Sequence, residues 1–148
     1  MKTGSVFWME RKMKDKYLAV VGSRTVNESR YSEFETFIAK ALKVFECNAI
    51  VSGGAKGADR LAEIYADRHA IPIKVLHADW RKYGKPAGMI RNSEIVKTCS
   101  ALLAFWDGSS RGTQDSCLKC RKLRKPYVVI STKDRSVIVG HANFPIKM

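Results

Sequence analysis

Short continuous apolar runs alternate along this chain with longer segments in which apolar residues recur every three or four positions. Tyr17-Leu18-Ala19-Val20-Val21 is the first such run and reads as a strand buried on both faces. Phe34, Phe37, Ile38, Ala41, Leu42 and Phe45 follow at helical spacing and form one apolar stripe. Asn48 to Val51 reads as a second strand, and Gly57 to His69 as a second helix with Ala58, Leu61, Ala62 and Tyr65 on one side. Ile73 to Leu76 is a third strand behind Pro72, and the turn region Ala78 to Lys85 comes next. Pro86 stands near the start of a third helix that carries Arg91, Asn92 and Ile95 and ends near Thr98. Ala101 to Trp106 is an apolar fourth strand, a fourth helix follows Gly112, and Tyr127 to Ile130 is a fifth strand. Alternating strands and helices of this kind specify parallel βαβ units with right-handed crossovers. The expected fold is a single α/β domain of three layers over 17–131, with about five parallel strands and helices on both faces. Residues 1–16 read as a flexible basic extension, and 132–148 as a tail holding an edge-strand candidate at Val137-Ile138-Val139.

Three of the strands run into glycine- and serine-rich turns: Gly22-Ser23-Arg24, Ser52-Gly53-Gly54-Ala55-Lys56-Gly57-Ala58-Asp59, and Asp107-Gly108-Ser109-Ser110-Arg111-Gly112-Thr113. Glycine lets backbone approach a ligand with no Cβ in the way, and a helix N-terminus behind the turn offers unpaired N–H groups to a phosphate. In open parallel sheets the ligand lies beyond the strand carboxyl ends, where all three turns fall. A composite pocket for a phosphorylated small molecule is therefore expected. Gly53, Gly54, Gly57, Gly108 and Gly112 would supply backbone donors, Arg24 and Arg91 would neutralise phosphate, and Ser23 would add a neutral donor. Asn92 shares the crevice with Arg91. Asp59 reads either as a dipole-balancing acid in the first turn of its helix or as an acceptor for a ribose hydroxyl. Thr113 is either a helix-start hydroxyl or a phosphate donor, and Asp107 flanks the same turn. Trp80 and Tyr83 are candidates to stack on a base or to pack in the core. Gly54→Val is expected to abolish ligand binding while leaving cooperative unfolding intact.

Charge changes this picture more than composition does. Lys and Arg number 27 against 14 Asp and Glu, a net +13 that favours anionic partners. The stretch from Asp79 to Lys125 holds 11 basic and 4 acidic residues, and Lys119, Arg121, Lys122, Arg124 and Lys125 are its densest run. That run suits the C-terminal dipole of a helix, and it also suits nucleic acid. No apolar segment approaches the roughly 20 residues that cross a bilayer, so no membrane partner is expected. Of the four cysteines only Cys117 and Cys120 form a C-x-x-C, with no second pair to complete a zinc site. With Thr113 and Ser116 they read as a small-residue stripe for packing. Free thiols without a signal peptide point to the cytoplasm. His69, His77 and His141 are scattered, and no nucleophile elbow, zincin motif, Walker lysine or dinucleotide fingerprint is present. No catalytic nucleophile, metal or cofactor is expected; Asp59 and Asp107 remain as acid/base candidates.

The ordered series Gly22-Ser23-Arg24, Ser52-Gly53-Gly54-Ala55-Lys56-Gly57-Ala58-Asp59-Arg60-Leu61-Ala62, Asp79-Trp80, Gly84, Ala87-Gly88, Arg91-Asn92 and Gly112-Thr113 resembles the YspA/YpsA-related branch of the SLOG superfamily. The resemblance runs from about Tyr17 to Ile130. It implies a Rossmann-like fold that holds a nucleotide or ADP-ribose-like ligand, often in phage or prophage settings, and a homodimer as a candidate assembly. Kinship with the LOG phosphoribohydrolases implies an alternative as a hydrolase of an N-glycosidic or phosphate bond. Kinship with the DNA-processing protein DprA implies an alternative as a single-stranded nucleic-acid binder through the basic stretch Arg81 to Lys125. The LOG motif P-G-G-x-G-T-x-x-E is not reproduced. Ser52-Gly53-Gly54 lacks its proline, and Gly112-Thr113 runs into Gln114-Asp115-Ser116 with no glutamate.

Overall fold

The computed structural model describes residues 14–141. Most of the extension expected over 1–16 and the end of the tail expected over 132–148 therefore lie outside the described residues. Six strands form one sheet: β1 (Tyr17–Gly22), β2 (Ala49–Ser52), β3 (Ile73–Val75), β4 (Ala101–Trp106), β5 (Tyr127–Ser131) and β6 (Val137–Val139). Their order is β3-β2-β1-β4-β5-β6, with the first five parallel and β6 antiparallel at the edge. Among the described residues five α-helices connect them, α1 (Tyr31–Val44), α2 (Ala58–His69), the single turn α3 (Trp80–Tyr83), α4 (Ala87–Thr98) and α5 (Arg111–Lys122), with a short 3-10 turn at Glu28–Arg30 before α1. This is the Rossmann-like arrangement, and strand order reverses between β1 and β4.

The pleat assigns each strand's side chains to two cores. Leu18 and Val20 of β1, Ile50 of β2, Leu103 and Phe105 of β4, and Val128 and Ile130 of β5 pack under α1 and α2. The alternate residues, Ala19, Val21, Val51, Leu102, Ala104 and Val129, pack under α4 and α5 with Ile95, Val96, Cys99 and Cys120. Such two-faced burial explains why the central strands read as unbroken apolar runs. The α1 stripe forms the aromatic centre of the first core, where Phe34 lies 4.9 Å from Phe105, ring centroid to centroid. On the other face Thr113, Ser116 and Cys120 are buried and Cys117 packs beside them. The small residues of α5 thus lie against the sheet.

The helix ends follow local chemistry. The fourth long helix begins at Arg111 rather than after Gly112, because Ser110 caps it and its hydroxyl accepts the Thr113 N–H. Asp79 caps α3 by accepting the Lys82 N–H at 3.1 Å. The ammonium of Lys125 donates to the carbonyls of Val96 and Cys99, both at 2.7 Å, and so closes the C-terminal end of α4. Lys119 is held by Asp115 at 2.7 Å. Two of the five bases in the densest basic run therefore serve the fold, while Arg121, Lys122 and Arg124 are exposed. No helix among the described residues is long and apolar enough to cross a membrane.

Phe105 is fully buried against Phe34 and Phe37. Phe105→Ala is expected to lower the unfolding free energy by about 3–5 kcal/mol, read as a lower urea midpoint with an unchanged slope.

Candidate functional site

The crevice at the strand switch point is built by three chain segments that cross at very close range. Ser23 stands at the crossing. Its N–H donates to the Phe105 carbonyl at 2.8 Å, its carbonyl accepts the Ala58 N–H at 3.1 Å, and its hydroxyl accepts the Asp107 N–H at 2.9 Å. Two glycines permit the approach. A Cβ on Gly22 would lie 2.6 Å from Ala58 Cβ and closer still to the Phe105 carbonyl oxygen. Gly57 has φ +85°, and a Cβ there would press on the Ser23 carbonyl and the Arg24 backbone. Ser23 is fully buried by these contacts, so the expected phosphate donor instead ties β1, β4 and α2 together.

Above this crossing lies a cavity of about 420 Å³. Gly22, Arg24, Asp59, Arg91, Asn92, Asp107, Gly112 and Thr113 all line it, together with Thr25, Ala55, Trp80, Lys85 and Ser110. Gly53 and Gly54 line a side cavity with His77 and Trp80, while Gly57 borders an outer groove. Ser52 is buried beneath the loop, and Gly108 is exposed at the tip of its turn without lining any of these spaces. Tyr83 is likewise exposed and stands outside them, so Trp80 alone of the two aromatic candidates reaches the crevice. Lys85 and Ser110 escaped sequence reading: Lys85 closes its turn region as one base among several, and Ser110 is one of two adjacent serines inside the third glycine-rich turn.

The charges divide into spent and unspent groups. Asp107 is spent: Oδ1 accepts the N–H groups of Ser109 and Ser110, both at 2.9 Å, and Oδ2 accepts the Thr25 hydroxyl at 3.0 Å. Those donors hold its carboxyl well below the usual range. Asn92 is also spent, since its amide donates to the Gly112 carbonyl and to Asp115, both at 3.2 Å, and its carbonyl accepts from Arg91 Nε. It joins α4 to α5. Thr113 shares a 3.0 Å hydrogen bond with the capping Ser110. Arg24 and Lys56, by contrast, make no hydrogen bond or ion pair with any described residue, and the Gly54 N–H has no acceptor among them.

Asp59 and Arg91 flank Gly53, where a Cβ would lie 2.9 Å from Asp59 Oδ2 and 2.8 Å from Arg91 Cζ. Arg91 donates to the Gly53 carbonyl. Asp59 accepts the Ala55 N–H at 3.1 Å through Oδ2, and its Oδ1 takes no hydrogen bond from a described residue. Burial pushes the Asp59 carboxyl up to about 6, against the opposing pull of the Ala55 N–H and the Arg91 charge. Burial also lowers the Arg91 pKa. Gly54 has φ +71°, and a Cβ on it would strike the His77 ring and Val75. The expectation for Gly54→Val is corrected accordingly: that change strains the loop itself, so it tests folding as well as binding.

Fold and crevice together define a Rossmann-like α/β protein with a cation-lined cleft at its switch point. A model of the YspA, cpYpsA-related SLOG family matches residues 18–83. The Gene 61 protein of Mycobacterium phage D29 is 33% identical over 90 residues, covering 57% of this chain and 72% of that protein. The chain belongs to the YspA, cpYpsA-related SLOG family. Among solved structures, DNA processing protein A from Helicobacter pylori, described with a single-stranded DNA binding mode, matches with a TM-score of 0.61. Identity is 18%, covering 83% of this chain and 68% of that one. DNA processing protein A from Streptococcus pneumoniae matches with a TM-score of 0.64 and 18% identity over 85% of this chain. Our chain spans about half of that protein, 54%. TM1055 matches with a TM-score of 0.57 and 19% identity, covering 82% of this chain and 76% of that one.

The raised Asp59 pKa carries a stability signature. The folded state binds the Asp59 proton more tightly than the unfolded chain, so stability contributed by this group is full below pH 3.8 and is lost as pH rises through about 6. Asp59→Asn should match the parent at pH 4 and exceed it by about 2–3 kcal/mol at pH 7.5. Denaturant titrations of both proteins across this range check the sign.

Proposed function

We propose that the cleft binds a nucleotide or nucleotide-derived ligand such as an ADP-ribose-type molecule. The observation that carries this reading is the set of unspent groups at one spot. Arg24, Lys56 and the Gly54 N–H lack partners among the described residues and share the side cavity, and Arg24 also lines the main cavity with Asp59, whose Oδ1 takes no hydrogen bond from a described residue. In this reading Arg24 binds phosphate bidentately and Arg91 contributes its charge. The Gly54 and Lys56 N–H groups and the start of α2 complete the anion cradle. Asp59 Oδ1 accepts a ribose hydroxyl, and exposed Trp80 stacks on the base. No cofactor beyond the ligand enters this reading.

One observation favours turnover as well. A carboxyl held near pH 6 is suited to proton transfer at neutral pH, so Asp59 is the acid/base candidate for N-glycosidic or phosphate-ester cleavage. Asp107, with both oxygens engaged, is the weaker one. Product formation followed by chromatography over hours separates binding from hydrolysis. A nucleic-acid reading is favoured by the DNA processing proteins among the structural neighbours and by the exposed bases Arg121, Lys122 and Arg124. It requires affinity for single-stranded DNA that falls steeply with salt.

Thermal unfolding against AMP, ADP, ATP, NAD, ADP-ribose and a short single-stranded DNA tests the first reading. A ligand at 100 times its dissociation constant stabilises the fold by about 2.7 kcal/mol. Arg24→Ala should abolish the nucleotide shift and leave the unliganded midpoint nearly in place, because the Arg24 side chain makes no hydrogen bond or ion pair with a described residue. A nucleotide shift that persists in Arg24→Ala, or a shift with DNA alone, defeats it.

A further inference from the structure

We infer that the seam between α4 and α5 is a docking site for a partner protein, and that its occupant is a short acidic segment carrying one apolar side chain. The seam lies outside the cleft, and the inference does not depend on the nucleotide reading. At its centre is a slot of about 180 Å³, lined by Ser93, Val96 and Lys97 of α4 and by Lys119, Lys122 and Leu123 at the end of α5. Val96 is buried, whereas Leu123 is 51% exposed. The lining is almost wholly carbon, although half of the residues that supply it are lysines. Long lysine side chains lay their stems on apolar surface and leave the ammonium in water. The slot therefore has room for one large apolar side chain and is flanked by positive charge.

Charge identifies the occupant. Lys119 is engaged by Asp115 and by the Met89 carbonyl, each at 2.7 Å, and Lys125 by the carbonyls at the end of α4. Lys97 and Lys122 are exposed and make no hydrogen bond or ion pair through their ammonium groups with a described residue. With the exposed Glu94 of α4 counted beside Asp115, four ammoniums along the seam stand against two carboxylates, and Arg121 and Arg124 add to the excess at the end of α5. That excess selects an anionic partner. A second copy of this chain brings the same lysines and a net +13, so pairing seam to seam sets like charges together. A nucleic-acid strand supplies the charge without the anchor, because single strands are held on aromatic stacking platforms and no aromatic side chain lines the slot. An acidic protein segment supplies both: its apolar side chain fills the slot, and its carboxylates meet Lys97 and Lys122.

Fluorescence polarisation of the full chain with a fluorescein-labelled peptide, EEELEEE, tests this. The peptide should bind saturably at low ionic strength, and its leucine-to-alanine form, EEEAEEE, should bind at least about tenfold more weakly. Leu123→Ser should weaken EEELEEE by about tenfold and leave EEEAEEE unchanged, since the two leucines act on one another. Lys97→Gln/Lys122→Gln should weaken both peptides. These side chains are exposed, so both variants should keep unfolding midpoints near the parent's. Absence of EEELEEE binding, or equal binding of EEEAEEE, overturns the docking site without using any variant. A thymidine oligonucleotide that the lysine substitutions weaken, where EEELEEE does not bind, overturns it in favour of a nucleic-acid surface. A dimer in sedimentation equilibrium that Leu123→Ser dissociates overturns it in favour of a second copy of this chain.

Discussion

Everything at the carboxyl edge of the sheet depends on how closely three backbones pass one another at Ser23. One residue bonds to β4 through its N–H, to the start of α2 through its carbonyl, and to the Asp107 turn through its hydroxyl. Those three contacts fix the relative positions of the three loops that wall the cleft. The approach is available only because Gly22 and Gly57 have no Cβ where the Phe105 and Ser23 carbonyls lie. The glycine richness of these turns has a first explanation in chain-to-chain packing. Gly53 and Gly54 place backbone in the wall of the side cavity, beside Arg91 and His77.

With the loops pinned, the remaining freedom lies in charge, and here the molecule departs from what stability alone favours. A folded chain gains by pairing its cations and by keeping carboxylates out of its interior. Around Asp107, Glu33 and Asp115 it does so, with short hydrogen bonds or ion pairs at each. Asp59 is buried at 6% exposure with its pKa forced upward, and Arg24 protrudes nearby with no partner among the described residues. Groups with strongly perturbed pKa values concentrate at functional sites. That the two line the same cavity makes a purely structural account of either less economical.

How much of this was legible in the chain follows from the range of each interaction. The strands, the α1 stripe and the three-layer α/β fold were legible because burial on two faces and helical spacing are local signals. The glycine turns were legible as places of close approach. What they approach was not. Ser23 looked like a ligand donor, yet its partners Phe105, Ala58 and Asp107 lie 82, 35 and 84 positions away along the numbering. Asn92 looked like a cleft residue and lines it, but its bonds to Gly112 and Asp115 make it the clamp between α4 and α5. Such pairings exist only once strand order reverses between β1 and β4, and apolar runs do not encode that order. Lys85 belongs to the same category, since the wall it completes is assembled from elements distant in sequence.

The extent of the family match divides the cleft in an instructive way. Residues 18–83 contain β1, the Gly53-to-Asp59 loop and the α3 turn. That stretch holds Arg24 and Lys56, two cations without a hydrogen bond or ion pair to a described residue, together with the buried Asp59 and with Trp80. Arg91, Asn92 and the Ser110-to-Thr113 turn lie beyond it, on α4 and α5, and most of their polar groups are engaged with one another or with backbone. The matched stretch therefore supplies Arg24, Lys56 and Asp59 to the cleft, while Lys85, Arg91 and a braced wall on α4 and α5 come from beyond it. In the proposed reading, most of the anion contacts fall within the matched stretch and much of the wall that limits ligand size falls beyond it. The cavity can therefore be reshaped on α4 and α5 without disturbing the Ser23 crossing on which the sheet edge depends.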